Sequence, residues 1–207
     1  MAEIRTHKGD LSEKAMARYT GDIAIDTETL GLVPRRDRLC VVQLSPGDGS
    51  ADVIQIAAGQ NSAPNLVALL EDKTKRKLFH YGRFDIAVLY NTFGVTATPV
   101  FCTKIASRLT RTYTDRHGLK DVTKELLEID LSKQQQSSDW AADTLTQAQL
   151  DYAASDVLHL HALTEKLTAR LVREGREDHA KACFEFLPTR AKLDLLGWQE
   201  TDIFAHS

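Results

Sequence analysis

The sequence predicts an α/β fold in which a mixed five-stranded sheet is flanked by helices. Two features indicate this class. The first third of the chain holds apolar segments separated by turn residues, and later apolar segments alternate with helical patterns. Hairpin-joined strands form antiparallel pairs, whereas strands separated by helices form parallel ones. The combination is typical of a mixed sheet.

The predicted strands are short and either apolar or rich in β-branched residues. Turn residues precede the second and third, and Gly47-Asp48-Gly49 between them is a hairpin signal. The five predicted strands are residues 23–25, 38–44, 51–56, 77–80 and 100–102.

Helical patterns fill most of the remaining chain. The longest predicted helix has a broad apolar stripe that suits packing on a sheet. The predicted helices are residues 64–70, 84–93, 119–127 and 145–172, followed by 178–187, a break at Pro188 and a short helix near 191–196. We therefore expect one domain over residues 1–207, with a core at about 20–175 and a C-terminal helical arm at about 176–207.

Composition restricts the class of protein. The chain has 207 residues, of which 43% are hydrophobic and 27% charged, as in an ordinary globular domain. A net charge of −3 argues against a basic coat that grips long nucleic acids. The three cysteines lack zinc-ligand spacing. Neither a signal peptide nor a membrane-spanning run is predicted, so a cytoplasmic location and no membrane partner are expected.

The first chemical signal is Asp26-Thr27-Glu28, at the end of an apolar strand. Residues two apart on a strand point to the same face, so Asp26 and Glu28 project together. Paired carboxylates repel each other and are costly to desolvate. Hard divalent cations bind carboxylate oxygens and would relieve both problems. Alone, the pair is more often a solvated strand end.

Two further signals carry acids and a phenol. Asp85 follows a predicted strand near a helix start, where the helix dipole favours a carboxylate in any case. Tyr152 and Asp156 are four residues apart and share a helix face. Each pattern alone has a structural explanation. For the second pattern, Tyr152 would be a half-buried tyrosine and Asp156 a surface aspartate. Together they indicate one acidic site.

The motifs IDTETLG, HYGRFDIAVL and YAASD occur in this order, and the sequence resembles the DEDD exonuclease superfamily, in the branch with a tyrosine before the last aspartate. It is similar to the ribonuclease D group in GLK, SDW and LTQAQLDYAA. This resemblance implies a ribonuclease H-like DEDD exonuclease fold and 3′→5′ exonuclease activity. It covers roughly residues 23–167.

Two differences from ribonuclease D point to a subgroup. The chain ends before the helical nucleic-acid-binding domains of ribonuclease D, and it has Cys102-Thr103 where that group usually has aspartate before threonine. With the closing LDLLGW and DIFAH, these features resemble the short bacterial nanoRNase C enzymes. That subgroup acts on very short RNAs and forms rings.

The resemblance implies a site for two divalent ions, Mg²⁺ or Mn²⁺. Asp26 would contact both ions, Glu28 and Asp156 would complete the shell of one, and Asp85 would hold the other. Tyr152 would orient the attacking water and help its deprotonation, of which the metal would do most. The implied catalytic residues are Asp26, Glu28, Asp85, Tyr152 and Asp156, of which the four acids are the metal ligands.

The resemblance also suggests substrate contacts. Glu28 and the backbone near Thr27 would meet the terminal sugar, Leu32 would separate the last two bases, and Phe84 would stack on a base. Phosphate contacts are expected from His80, Arg108 and Lys133. Structural alternatives stay open. Leu32 would be a loop anchor, Phe84 and His80 would be core residues, and Arg108 and Lys133 would be solvated charges.

The expected activity is removal of nucleoside 5′-monophosphates from the 3′ ends of short RNAs, dinucleotides included. The alternatives are a broader 3′→5′ exonuclease acting on RNA or DNA, and a nucleic-acid-binding module without activity. Degenerate members usually lack one of the acids, whereas all four are present here. The C-terminal Trp198, Ile203 and Phe204 would form an exposed apolar patch unless they dock, so a homo-oligomer, as in the ring-forming subgroup, is also expected.

Overall fold

The computed structural model describes residues 2–132, 135 and 137–206. Its centre is one six-stranded sheet with the order β1-β4-β3-β2-β5-β6. The strands are β1 (Glu3–Lys8), β2 (Ile23–Thr29), β3 (Leu39–Ser45), β4 (Ser50–Gln55), β5 (Lys77–Phe79) and β6 (Val100–Cys102). The predicted mixed sheet is confirmed, and the predicted number of strands was too small by one.

Strand directions determine where side chains can meet. β2, β3 and β4 form an antiparallel meander, while β5 pairs parallel with β2 and β6 pairs parallel with β5. The C-terminal ends of β2, β5 and β6 therefore lie at one edge of the sheet. Residues that follow these ends are brought together although they are far apart in sequence.

The strand that the sequence did not predict is β1, which pairs parallel with β4. Its sequence, EIRTHK, lacks the apolar run that marks a buried strand. Polar contacts hold it instead: Arg5 and His7 both bind the fully buried carboxylate of Asp52 on β4, at 2.7 Å each. The hydroxyl of Tyr19 donates to the same carboxylate at 2.6 Å. These partners lie far away in the chain, so local pattern could not reveal the strand.

Eight α-helices among the described residues surround the sheet, and a π-helical turn follows the last. They are α1 (Glu13–Met16), α2 (Pro64–Glu71), α3 (Gly82–Phe93), α4 (Thr103–Thr110), α5 (Leu119–Leu127), α6 (Gln147–Leu158), α7 (Leu160–Arg173) and α8 (Glu177–Leu193), with the turn at Asp194–Trp198. None of these described helices is both long and apolar enough to cross a membrane.

The long helix predicted at 145–172 is two helices, which meet at His159 (φ −103°, ψ −4°). α6 packs on β2, β3 and β4, whereas α7 packs on α4, α5 and β5. One straight helix could not follow both surfaces. The apolar stripe was therefore read correctly as buried, but the change of direction depends on packing partners and not on local sequence.

The predicted break at Pro188 was also wrong, because α8 continues through this residue. Proline lacks the N–H that a helix interior uses, which disfavours this arrangement. The apolar face of α8 buries Phe184, Leu187 and Ala191 in the main core, and this burial offsets the lost bond. The C-terminal segment thus shares its core with the sheet up to the end of α8.

Candidate active site

Asp26 and Glu28 lie at the end of β2, whose preceding residues Ile23 and Ile25 are fully buried. Asp26 is in register with Gln43 on β3. The amide Nε2 of Gln43 donates to Oδ2 of Asp26 at 2.7 Å, and the Gln43 side chain is fully buried. Sequence reasoning missed Gln43, although a lone amide in the apolar run of β3 was a usable signal.

Asp85 lies in the first turn of α3, directly after β5. The chain turns into this helix through Tyr81, which has a left-handed conformation (φ 70°), and through Gly82. A Cβ on Gly82 would lie only 2.8 Å from Cβ of Phe79, so glycine permits this close approach. The hydroxyl of Thr27 then donates to Oδ1 of Asp85 at 2.7 Å.

Tyr152 and Asp156 lie one turn apart on α6. A capping box of Thr146 and Gln149 begins this helix. Ala153 and Ala154 are buried and have small side chains, so the helix can pack closely on β2–β4. This packing directs the phenol and the carboxylate toward the end of β2, and both line one cavity, as expected for residues that share a helix face.

Oxygen atoms from Asp26, Glu28 and Asp156 lie within 4.8 Å of one another. Three carboxylates at this separation form the hard oxygen donor set that divalent cations such as Mg²⁺ and Mn²⁺ prefer. Asp85 lies outside this triplet and reaches the site beside Thr27. The residues present therefore fit a divalent metal centre.

The acids are strongly perturbed by their surroundings. Burial, followed by the charges of Asp85, Asp156 and Glu28, raises the pKa of Asp26 well above its ordinary value. Burial and the charge of Asp156 raise the pKa of Glu28 to about 9. Buried like charges are costly unless compensated, which is the electrostatic condition that a bound cation would relieve.

The remaining groups follow the same pattern. Burial raises the pKa of Asp85 to about 7, against a hydrogen bond from Thr27 that lowers it. Burial also raises the pKa of Asp156 to about 7, against a hydrogen bond from Tyr152. The pKa of Tyr152 rises through burial and the charge of Asp156. Tyr152 is therefore a protonated hydroxyl at neutral pH.

Two cavities adjoin the acids. The larger, of about 530 Å³, has walls of Asp26, Glu28, Tyr152 and Asp156 together with apolar and aromatic side chains. The smaller, of about 220 Å³, is lined by His80 and Lys120 and shares Asp26, Tyr152 and Asp156 with the first. The carboxylate triplet thus has open space beside it.

Three predicted substrate contacts lie at the larger cavity. Leu32 is 79% exposed and lines the cavity with the half-buried Phe84. Thr27 also lines this cavity. Its side chain is 6% exposed and hydrogen-bonded to Asp85, so only its backbone is available to contact a substrate. The structure therefore brings these three residues to the acids.

The predicted phosphate contacts are arranged differently. His80 adjoins the smaller cavity, but its Nε2 lies 3.0 Å from the His117 carbonyl and its Nδ1 lies 2.8 Å from the Thr103 hydroxyl. Burial lowers the pKa of His80 to about 3, so the ring is neutral. Arg108 lines another cavity, of about 310 Å³, with Tyr81 and Lys104. Lys133 is outside the described residues.

Comparison with known proteins identifies relatives. Residues 5–172 match the model of the 3′-5′ exonuclease family. Ribonuclease D from Gluconacetobacter diazotrophicus is 35% identical over 156 residues, covering 75% of this chain and 39% of the relative. The chain thus spans about two fifths of the length of this curated relative.

Solved structures extend the likeness to the whole chain. Two structures of NrnC from Brucella melitensis, one with bound Mg²⁺ and one bound to pGG, are 64% identical, with TM-scores of 0.95 and 0.97. They cover 99% and 100% of this chain, which covers all of each. Escherichia coli RNase D is 26% identical with a TM-score of 0.78, covering 93% of this chain and 51% of that structure. This chain belongs to the 3′-5′ exonuclease family, in its ribonuclease D-like branch together with the NrnC-type nucleases.

Proposed function

We propose that this protein removes nucleoside 5′-monophosphates from the 3′ ends of short RNAs. The observation that carries the proposal is the meeting of a carboxylate triplet, Asp26, Glu28 and Asp156, with Tyr152 at one cavity. Asp85 joins the group through Thr27. Phosphodiester hydrolysis needs a positioned water and compensation of the charge on phosphorus, and this donor set suits both needs.

The proposed cofactors are two divalent ions, Mg²⁺ or Mn²⁺. When bound, such ions lower the pKa of a coordinated water and neutralise the charge that develops on the phosphate. Asp26 would contribute to both sites, Glu28 and Asp156 to one, and Asp85 to the other. The raised pKa values of the acids support this assignment, because burial raises all four and neighbouring negative charges add to the rise for Asp26, Glu28 and Asp156. The Mg²⁺ bound to the related NrnC supports it as well.

Tyr152 has a positioning role in this proposal. Because the pKa of its hydroxyl is raised, the group stays protonated and can donate or accept a hydrogen bond without acting as a strong base. Its ring packs against Trp140, with centroids 6.0 Å apart, which limits the directions that the hydroxyl can take. The hydroxyl would hold the attacking water beside the carboxylates.

The 3′ end of the RNA would lie in the larger cavity. Glu28 and the Thr27 backbone would contact the terminal sugar, the exposed Leu32 would insert between the last two bases, and Phe84 would stack on one of them. Stacking of a base on an aromatic ring contributes roughly 1–3 kcal/mol. Contacts of Arg108 and Lys133 with phosphates remain predictions. His80 would need a water, because its ring nitrogens already have partners.

Short RNAs are the proposed substrates because a net charge of −3 disfavours a surface that grips long nucleic acids. The related NrnC structure bound to pGG supports this choice. A broader RNA or DNA exonuclease is the alternative, favoured by the similarity to ribonuclease D. The test is a time course on 5′-labelled RNAs of two to ten nucleotides, and on matching DNAs, with Mg²⁺, Mn²⁺ or chelator.

The outcomes separate the two functions. Fastest cleavage of the shortest RNAs supports the proposal, whereas a rate that rises steadily with length supports the broader exonuclease. A binding module without activity would cleave none of them. Calorimetric titration with Mg²⁺, on the unmodified protein and on Asp26→Asn, then measures metal binding. It shows whether a protein without activity also fails to bind Mg²⁺ or binds it without cleaving RNA.

We also propose that the protein forms a homo-oligomer through its C-terminal segment. Leu196 and Phe204 are 68% and 79% exposed, and Trp198 is 46% exposed. The Phe204 ring lies 5.8 Å from that of Phe186 on α8, so part of the segment docks on its own chain. Light scattering on the full chain and on a chain ending at Leu196 tests the idea. A monomeric full chain, or an unchanged oligomer after truncation, contradicts it.

A further inference from the structure

Trp140 forms the wall behind Tyr152. Its side chain is 3% exposed, and its ring is tilted by 40° to that of Tyr152 at a centroid distance of 6.0 Å. It packs with Cys40, Val53 and Leu145 in a small second core and also lines the larger cavity. A tyrosine ring that rests on a second aromatic ring has fewer accessible orientations. The position of Trp140 therefore affects where the Tyr152 hydroxyl can lie.

Trp140 lies in a segment without regular secondary structure, where one backbone bond, from the Ala142 N–H to the Asp139 carbonyl, is long at 3.5 Å. A side-chain bond from another element reaches this segment from Gln149, which is 5% exposed in the first turn of α6. Gln149 Nε2 donates to the carbonyl of Asp139, directly before Trp140, at 3.0 Å. Its Oε1 accepts from the backbone N–H and the hydroxyl of Thr146, at 2.9 and 3.0 Å.

The two ends of the Gln149 amide thus make different contacts, which can be removed separately. The Oε1 end belongs to the capping box that begins α6, and the Nε2 end ties the Trp140 segment to the same helix. The helix that carries Tyr152 and the segment that carries its aromatic support are therefore joined one turn from the phenol. A second tie, from Gln55 Nε2 to the Ala142 carbonyl at 3.1 Å, lies two residues beyond Trp140.

We propose that Gln149 is a positioning residue: its amide holds Trp140 against the Tyr152 ring and so sets the direction of the Tyr152 hydroxyl. The effect of Gln149 on the reaction rate rests on the proposed nuclease function. The effect of Gln149 on the position of Trp140 does not. Small displacements of a positioning group reduce rates by factors of about 10–100. Loss of the amide should therefore lower kcat by about tenfold and change KM little.

The test uses Gln149→Glu, because glutamate is also favoured in a capping box and has no N–H for the Asp139 carbonyl. The matched control is Thr146→Val, which removes the capping hydroxyl but keeps the N–H bond to Gln149 Oε1. If a buried carboxylate prevents folding, Gln149→Met offers a neutral side chain of similar length. Thermal melts identify which variants are folded.

The direct readout is the fluorescence of Trp140. The chain has two tryptophans, and Trp198→Phe leaves Trp140 alone. The buried Trp140 should be shielded from acrylamide in this background and in the Thr146→Val control. Gln149→Glu, or Gln149→Met, should make it severalfold more accessible. Unchanged quenching in a folded variant, or an equal rise in Thr146→Val, would overturn the proposal.

A double-mutant cycle tests the path through Tyr152. If Gln149 acts by directing the Tyr152 hydroxyl, Gln149→Glu should lower kcat in the unmodified protein and add little in Tyr152→Phe. Full additivity of the two losses would exclude this path. If the unmodified protein cleaves no RNA, the nuclease proposal fails, and the quenching comparison still decides whether Gln149 holds Trp140.

Discussion

Thr27 donates its hydroxyl to Oδ1 of Asp85 at 2.7 Å, so the strand that carries two acids of the site also holds a third. Thr27 lies between Asp26 and Glu28 on β2, whereas Asp85 begins α3. The bond connects strand and helix at the point where the carboxylates converge. It also lowers the pKa of Asp85 against the effect of burial.

Thr27→Val should weaken metal binding at the Asp85 side of the site. Hydrogen bonds to charged groups contribute about 1.5–3 kcal/mol, and the loss of such outer contacts lowers metal affinity by about 10–100-fold. We expect the Mg²⁺ concentration for half-maximal rate to rise by about tenfold. Thr27→Ser keeps a hydroxyl and should restore most of the affinity. Equal Mg²⁺ curves for Thr27→Val and the unmodified protein would show that this bond does not support the site.

Asp26→Asn should reduce turnover by at least about a thousandfold, because Asp26 is the proposed ligand of both ions. In chelator its melting temperature should equal or exceed that of the unmodified protein, since a crowded buried charge is gone. The rise in melting temperature with Mg²⁺ should disappear. Asp151→Asn, which alters an exposed carboxylate of the same helix as Asp156, is the control. Full activity of Asp26→Asn, or in excess chelator, refutes the metal mechanism.

Tyr152→Phe should fold and bind Mg²⁺ but lose rate by about 10²–10⁴-fold, because positioned hydroxyl groups have effects of this size. The ring remains and still packs on Trp140, so the melting temperature should change little. Tyr90→Phe on α3 is the control for the loss of a phenol. If Tyr152→Phe retains more than about a third of the turnover, the role of Tyr152 is packing.

His80 should make the fold sensitive to acid. Burial lowers its folded-state pKa to about 3, from 6.5, so the unfolded chain binds more protons between these values. The stability that depends on neutral His80 is therefore present above about pH 6.5 and is lost as pH falls toward about 3. The steepest slope for one group is about 1.4 kcal/mol per pH unit.

The measurement compares denaturant unfolding of the unmodified protein and His80→Gln, in chelator, from neutral pH to pH 4. An amide can still meet the His117 carbonyl and the Thr103 hydroxyl, but it does not titrate. The unfolding free energy of the unmodified protein minus that of His80→Gln should shrink as pH falls. The effects of the site acids largely cancel, because both proteins contain them. The exposed His179→Gln controls for the loss of a histidine. Parallel curves for the protein and His80→Gln would contradict the prediction.

The residues of the candidate site could be predicted from the sequence because each signal is local. Alternation on a strand places Asp26 and Glu28 on one face, and a spacing of four places Tyr152 and Asp156 on one helix face. The packing of α6 on β2, β3 and β4 brings these two pairs together, and the parallel pairing of β2 and β5 places Asp85 at the same edge. The strand–helix order and the mixed sheet could also be predicted, because they rest on local patterns.

Contacts between distant segments decided the rest. β1 depends on Asp52 of β4, and the division of α6 from α7 at His159 depends on which surfaces each helix covers. The support of Asp26 by Gln43 and the tie from Gln149 to the Trp140 segment depend on side-chain geometry. The sequence by itself determined which acids and which phenol form the candidate site, because periodicity acts over a few residues. Only the tertiary structure decided how those groups are held, because hydrogen bonds and burial join residues that no local pattern relates.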